Sequence, residues 1–308
     1  MTQSLTSRMS FSRLARRDWR EWLTFLLFVG PNLALFFAFT YYPLLRNVLL
    51  SFQDYNTFTD TGEFIGLTNF KDVFTDSQTS VIMRNTLVFT VAVVVIILTL
   101  GLLVALLLNQ KLRMRDAVRS LVFSPTVLAG SAVAVVWIYI FDPRNGLILQ
   151  LLKPLAINPP RWLYDPAWAM IAIIIVYVWK NLGYAVVIFV AGLQAIPNDL
   201  YEAARVDGAN AMQRFRNVTI PGLSPVTFFL AVTLVLNSFQ AFDLIRIMTG
   251  GGPVNATNVL IYRLYELGFG TNTSVGRASV IGLVLFVIML IVTILQLRLL
   301  ERRVSYAN

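Results

Sequence analysis

Six long apolar stretches, each nearly free of charge, decide what this chain can fold into. They run near Trp22–Leu45, Asn85–Leu108, Val118–Phe141, Trp168–Leu193, Val226–Met248 and Ser279–Leu300. Crossing roughly 30 Å of hydrocarbon takes about 20 such residues as helix. Lipid offers no partner to an unpaired backbone N–H or C=O, so helix is the expected form of each stretch. Composition agrees: 57% of the 308 residues are apolar and only 13% are charged, too few to cover a soluble domain of this size. The expected fold class is an all-α integral membrane protein with six transmembrane helices.

The run from Trp22 is too long for a signal-peptide core and lacks an A-x-A site, so it is expected to be retained as a span. The net charge of +9 fits basic residues beside anionic lipid better than a nucleic-acid partner. The chain contains neither Cys nor His, which removes disulfides, thiolate metal sites and the commonest metal ligand, and no metal site or cofactor is expected.

Basic residues set the expected orientation. Arg8, Arg13, Arg16, Arg17 and Arg20 precede the first span, Lys111, Arg113, Arg115 and Arg119 follow the second, Arg205, Arg214 and Arg216 follow the fourth, and Arg298, Arg302 and Arg303 end the chain. The alternate loops are poorer in Lys and Arg. The richer set belongs on the cytoplasmic side, so both termini, residues 1–21 and 301–308, are expected inside. Trp19, Trp22, Trp137, Trp162 and Trp168 fall near proposed span ends, where amphipathic rings prefer to sit.

The loop between the fourth and fifth spans, 196–221, carries the most information. Pro197 is expected to end the preceding span, Asp199 with Glu202 resembles a capping box, and Gly208 suits a left-handed helix end. A second short helix should follow and stop at Pro221. Leu200, Ala203, Ala204 and Val206, then Met212, Phe215 and Val218, form an apolar surface at helical spacing. Such a helix either lies on the membrane surface or docks into a groove of a partner.

The loop resembles the EAA loop of bacterial ABC importer permeases: Glu202-Ala203-Ala204, three residues, Gly208, nine residues, then Val218-Thr219-Ile220-Pro221. Val218 and Ile220 depart conservatively from the family pattern. Phe64-Ile65-Gly66-Leu67-Thr68-Asn69-Phe70 and the run from Phe242 to Pro253 resemble segments of the carbohydrate-uptake (maltose and glycerol-3-phosphate) superfamily, most closely the A-type permeases of its glycerol-3-phosphate branch. The resemblance implies a type I importer permease in the bacterial cytoplasmic membrane. It also implies a second permease subunit, two ATPase subunits and an extracytoplasmic solute-binding protein as partners. Glu202, Ala203, Ala204, Asp207, Gly208 and Pro221 would then couple the chain to its ATPase.

The chain has no G-x-x-x-x-G-K-[ST] loop and no nucleophile–base pair, so it is not expected to be an enzyme, and ATP would be hydrolysed by a partner. Gly250-Gly251-Gly252-Pro253 reads as a turn. Polar residues inside spans are costly and mark candidate contacts. By the same resemblance, Asn181 and Tyr184 in the fourth span and Asn237, Ser238 and Ala241 in the fifth fall at sugar-site positions, with Gln240 beside them. Asn237 and Ser238 also suit plain interhelical hydrogen bonds. Lys180 has three readings: pairing with Asp243, meeting a substrate phosphate, or snorkelling to the interface. The substrate class implied is a sugar, glycerol-3-phosphate or glycerophosphodiester. A permease for neutral oligosaccharides and an ion-coupled secondary transporter are the rival readings.

Overall fold

The computed structural model describes residues 19–57, 59–110 and 115–300. The tail residues Arg8, Arg13, Arg16, Arg17, Arg302 and Arg303, and the loop residues Lys111 and Arg113, lie outside them.

Helix α1 (Trp19–Phe36) passes through a π-helical turn (Phe37–Tyr41) into α2 (Tyr42–Leu50). Pro43 near the start of α2 donates no N–H, and just before it the chain takes an extra residue, so Tyr42 N–H bonds Phe37 O. The 29 residues Trp22–Leu50 form one apolar rod with no buried position in its most hydrophobic window. A hairpin follows, β1 (Gln53–Asn56) antiparallel to β2 (Thr61–Phe64), with Gln53 opposite Phe64 and Asn56 opposite Thr61. Then come α3 (Thr68–Thr75) and α4 (Ser77–Leu108), which Asp76 caps by accepting from Gln78 N–H.

The stretch expected as one span near Val118–Phe141 is two helices, α5 (Arg115–Val127) and α6 (Gly130–Ile140), set at 100° to each other. Pro125 lies in the last turn of α5. The Leu121 carbonyl that would have bonded its missing N–H accepts from Ser124 Oγ instead, at 2.9 Å. After α7 (Leu147–Leu152) and a 3-10 turn (Lys153–Leu155) comes α8 (Pro166–Ala195), with Pro166 at its first position and Asp165 accepting from Ala167 N–H.

The connection to the next span holds α9 (Asn198–Val206), α10 (Ala211–Arg214), a π-helical turn (Phe215–Thr219) and α11 (Ile220–Gly222). The chain then bends by 60° into α12 (Ser224–Phe239). Two expectations fail here. Pro197 itself is the N-cap of α9 and no side chain caps it, because its extended backbone starts the helix one residue before Asp199 can cap. The capping box forms at α10, between Asn210 and Gln213. Nor does Pro221 stop the second helix. It sits inside 211–222, behind a π turn in which Ile220 N–H reaches back to Phe215 O.

The expected span near Val226–Met248 is broken too. Helix α12 ends at Phe239, residues 240–242 turn, and a short α13 (Asp243–Met248) resumes. Ser238 Oγ bonds Val235 O at the last turn, a local bond that competes with helix continuation. The chain ends in α14 (Leu260–Phe269) and α15 (Val275–Leu300). Among the described residues, four helices are long and apolar enough to cross a membrane, or up to six if each bent pair counts as one span.

The core is the seam of α4, α8 and α12, with Phe89, Val93, Ile97, Ile173, Val176, Leu230 and Leu234 buried in it. Small residues let these helices approach closely. A Cβ on Gly101 would lie 3.0 Å from the Ala185 methyl, and one on Gly192 would lie 2.7 Å from Val226. Phe89 meets Tyr177 with ring centroids 5.2 Å apart. With the Gly101–Ala185 contact further along both helices, α4 and α8 run in the same direction. Asn85 Nδ2 bonds Asn255 O and Thr86 Oγ1 accepts from Leu260 N–H. The start of α14 therefore lies at the N-terminal end of this pair, opposite α9.

Candidate substrate pathway and coupling helix

The two breaks meet. Helix α13 packs on α6 and α8, and a Cβ on Gly130 would lie 3.3 Å from Asp243 Oδ2. Beside them a cavity of about 230 Å³ opens, lined by Gly130, Tyr177, Lys180, Asn181, Asn237, Gln240, Ala241, Phe242, Asp243 and Leu244. Helices interrupted at mid-bundle present polar groups that a continuous apolar helix hides, and such breaks mark binding sites in transporters.

Five of the seven residues singled out for the pathway line this cavity: Lys180, Asn181, Asn237, Gln240 and Ala241. Ser238 does not. It is 2% exposed and donates to Thr90 Oγ1 at 3.0 Å, tying α12 to α4. Tyr184 packs against the apolar core one turn further along α8. Both lie on helices that line the cavity, and neither is part of its lining. Sequence reading misses Gly130, Tyr177 and Leu244, for which the apolar runs around them carry no signal.

Lys180 and Asp243 share the cavity without pairing. Among the described residues the ion pairs join Arg263 to Asp76 and Glu266, and Arg277 to Asp72. Asn181 spends its amide donor on Tyr177 O at 2.8 Å. The side chains of Asn237 and Gln240 take no hydrogen bond from neighbouring described residues. The cavity is thus lined by a lysine, an aspartate and two amide side chains that have no partner among the described residues, groups able to bond a polar solute.

The α5–α8 contact fixes where Lys180 sits. Thr126 Oγ1 donates to Lys180 O at 3.0 Å. Three residues on, a Cβ at Gly183 would lie 2.3 Å from Val122 O and 2.7 Å from Phe123 Cα. Only glycine fits there.

On the α14 side, the Phe242 ring of the cavity wall packs against two tyrosines that stand outside the lining. Phe242 lies 5.0 Å from Tyr265 and 6.2 Å from Tyr262. Burial, and then the negative charge of Glu266, raise the Tyr262 phenol above its ordinary value, so it is a neutral donor at pH 7. The glycine-rich segment is a turn: Gly250 and Gly251 have φ of +55° and +76°, and a Cβ on Gly251 would press on the Tyr262 ring at 2.8 Å. Thr257 Oγ1 braces it by donating to Gly252 O at 2.7 Å.

The second feature is α9, at the other end of the bundle. None of its residues is buried, and Val206 is 88% exposed. Its end is a full Schellman motif: Gly208 at φ +78°, with Gly208 N–H to Arg205 O and Ala209 N–H to Ala204 O. Tyr201 Oη and Thr219 Oγ1, 3.0 Å apart, tie α9 to the π turn. Glu202, Ala203, Asp207 and Gly208 are exposed, and Ala204 and Pro221 are half-buried. This short helix is held rigid by its ends and presents its surface outward.

A bent-helix membrane bundle with a polar cavity at its breaks and a rigid exposed helix at one end defines a membrane permease subunit. Residues 97–306 match the model of the binding-protein-dependent transport system inner membrane component family. The chain belongs to this family, and so to the inner membrane. It is 39% identical over 290 residues to the sn-glycerol-3-phosphate transport system permease protein UgpA of Yersinia pestis, covering 93% of this chain and 96% of that one. It is 33% identical over 276 residues to the probable ABC transporter permease protein YurN of Bacillus subtilis, covering 88% and 94%. The fold matches a solved bacterial alginate ABC transporter in complex with an alginate pentasaccharide-bound periplasmic protein, with TM-score 0.82 and 22% identity over 96% of this chain and 100% of that one. Membership of a binding-protein-dependent family sets aside the ion-coupled secondary transporter.

Proposed function

We propose that this chain forms half of the translocation pathway of an ATP-driven importer for an anionic solute of the glycerol-phosphate class. The solute passes through the cavity between α8, α12 and α13, where Lys180 meets its phosphate and Asn181, Asn237 and Gln240 meet its hydroxyls. Ser238 and Tyr184 support the wall from behind, and Ala241 leaves room. The observation that carries this reading is Lys180, which lines the cavity and has no carboxylate partner among the described residues. A cation left in an apolar bundle is costly unless something anionic joins it. The name of the Yersinia pestis relative supports the same solute class.

Each bent pair counts as one span in this reading, giving six, with both termini and α9 on the cytoplasmic side. Helix α9, through Glu202, Ala203, Ala204, Asp207 and Gly208, docks on a separate ATPase subunit, and Pro221 holds the π turn behind it. A second permease completes the pathway, two ATPase subunits hydrolyse ATP, and an extracytoplasmic binding protein delivers the solute. The periplasmic protein in the alginate transporter complex supports that last partner.

The test is uptake of glycerol-3-phosphate and of a neutral disaccharide by the assembled importer in proteoliposomes. Wild type should import the phosphate. Lys180→Gln should lower phosphate uptake by about tenfold or more, the worth of one charge-assisted hydrogen bond. Unchanged phosphate uptake by Lys180→Gln, or import of the neutral sugar alone by wild type, would refute the reading.

A further inference from the structure

Arg246 lies one turn beyond Asp243 on α13, on the α14 side of the cavity. Its guanidinium carbon stands 4.5 Å from the Tyr265 ring centroid and 5.6 Å from that of Phe242. Phe242 is itself part of the cavity wall. The side chain is exposed, and among the described residues no carboxylate pairs with it. Its neighbours differ: Arg263 and Arg277 each hold a carboxylate. Two aromatic rings therefore hold this guanidinium, and among the described residues nothing accepts from its N–H donors.

We propose that Arg246 is a specificity-determining residue that binds the anionic group of the solute at the rim of the cavity, before that group reaches Lys180. The inference rests on the reading above, that an anionic solute uses this cavity. Two cations then stand in series along one path. The outer one is a planar fork suited to bidentate bonding of a phosphate, and the inner one is a compact ammonium. Asp243, one turn before Arg246 on α13, lines the same cavity, and among the described residues it pairs with neither cation. The rings carry no net charge, so they position the guanidinium without neutralising it.

The experiment uses the complete importer in proteoliposomes, with saturating loaded binding protein. It measures glycerol-3-phosphate uptake together with ATP hydrolysis. Arg246→Gln should lower uptake per ATP hydrolysed by about tenfold, the loss of one charge-assisted contact, while binding-protein-stimulated hydrolysis stays near wild type. Arg246→Lys, which keeps the charge and loses the fork, should fall between. Wild-type uptake per ATP in Arg246→Gln would overturn the inference and leave the pathway reading intact. Equal loss of hydrolysis and uptake in both variants would also overturn it, by making Arg246 a structural support. Import of only neutral solutes by wild type would remove the pathway reading and the inference together.

Discussion

Gly183→Val is expected to leave no correctly assembled bundle. The Cβ of any residue at 183 would fall 2.3 Å from Val122 O and 2.7 Å from Phe123 Cα, and both are backbone atoms that cannot swing aside. Relief requires α5 to separate from α8 along the line where Thr126 holds Lys180 O. Overpacking relieved by side-chain movement costs about 1–3 kcal/mol. A clash with backbone belongs to the tail beyond about 4 kcal/mol. Size-exclusion profiles and thermal unfolding in detergent check this. A monodisperse Gly183→Val protein melting within a few degrees of wild type would show that the α5–α8 contact is looser than described.

Replacing residues 199–206 with a Gly–Ser segment of equal length should have the opposite signature: an intact bundle that does not transport. Helix α9 has no fully buried residue, and Tyr201 is the one hydrophobic of this helix that packs on the core of the described residues, so its loss removes little packing energy beyond that contact. Uptake should fall by about a hundredfold or more, because binding-interface energy concentrates in a few side chains and all of them go at once. The graded version is Gly208→Val. Nothing lies within 4 Å of a Cβ there, and φ is +78°, so the whole cost is the left-handed backbone, about 1–2 kcal/mol. Uptake should then drop by roughly tenfold. Unfolding in detergent and co-purification with the ATPase subunit separate the two effects. Transport at wild-type rate by the Gly–Ser variant would remove α9 from the mechanism.

These expectations show which parts of the molecule the residue order reveals. The apolar runs are legible because lipid imposes a length and a composition on anything that crosses it. The breaks within them are not, because each stretch stays long and apolar enough as a whole to read as one continuous span. Pro125 with Gly130, and Asn237 with Ser238 and Gln240, are visible cues, but each also occurs in unbroken spans. The connection around α9 is legible in its Gly208 ending, since a Schellman end depends on one residue. Its beginning is not, because the backbone of Pro197 starts the helix before Asp199 can cap it. Which face a polar side chain takes depends on neighbouring helices. Ser238 therefore bonds Thr90 while Asn237, next to it, faces the cavity. Arg246 is visible as a charge inside an expected span, but its aromatic setting is not, because its ring partner Tyr265 comes from a different helix.

The chain has no cysteine, so Glu202→Cys supplies a single thiol on α9 and permits the most direct test of the account. A membrane-impermeant maleimide is applied to intact cells and to inverted membrane vesicles, with and without the ATPase subunit assembled. The account predicts labelling only in inverted vesicles, and protection there when the ATPase is bound. Labelling of the introduced thiol from outside intact cells, or equal labelling whether or not the ATPase is present, would contradict it.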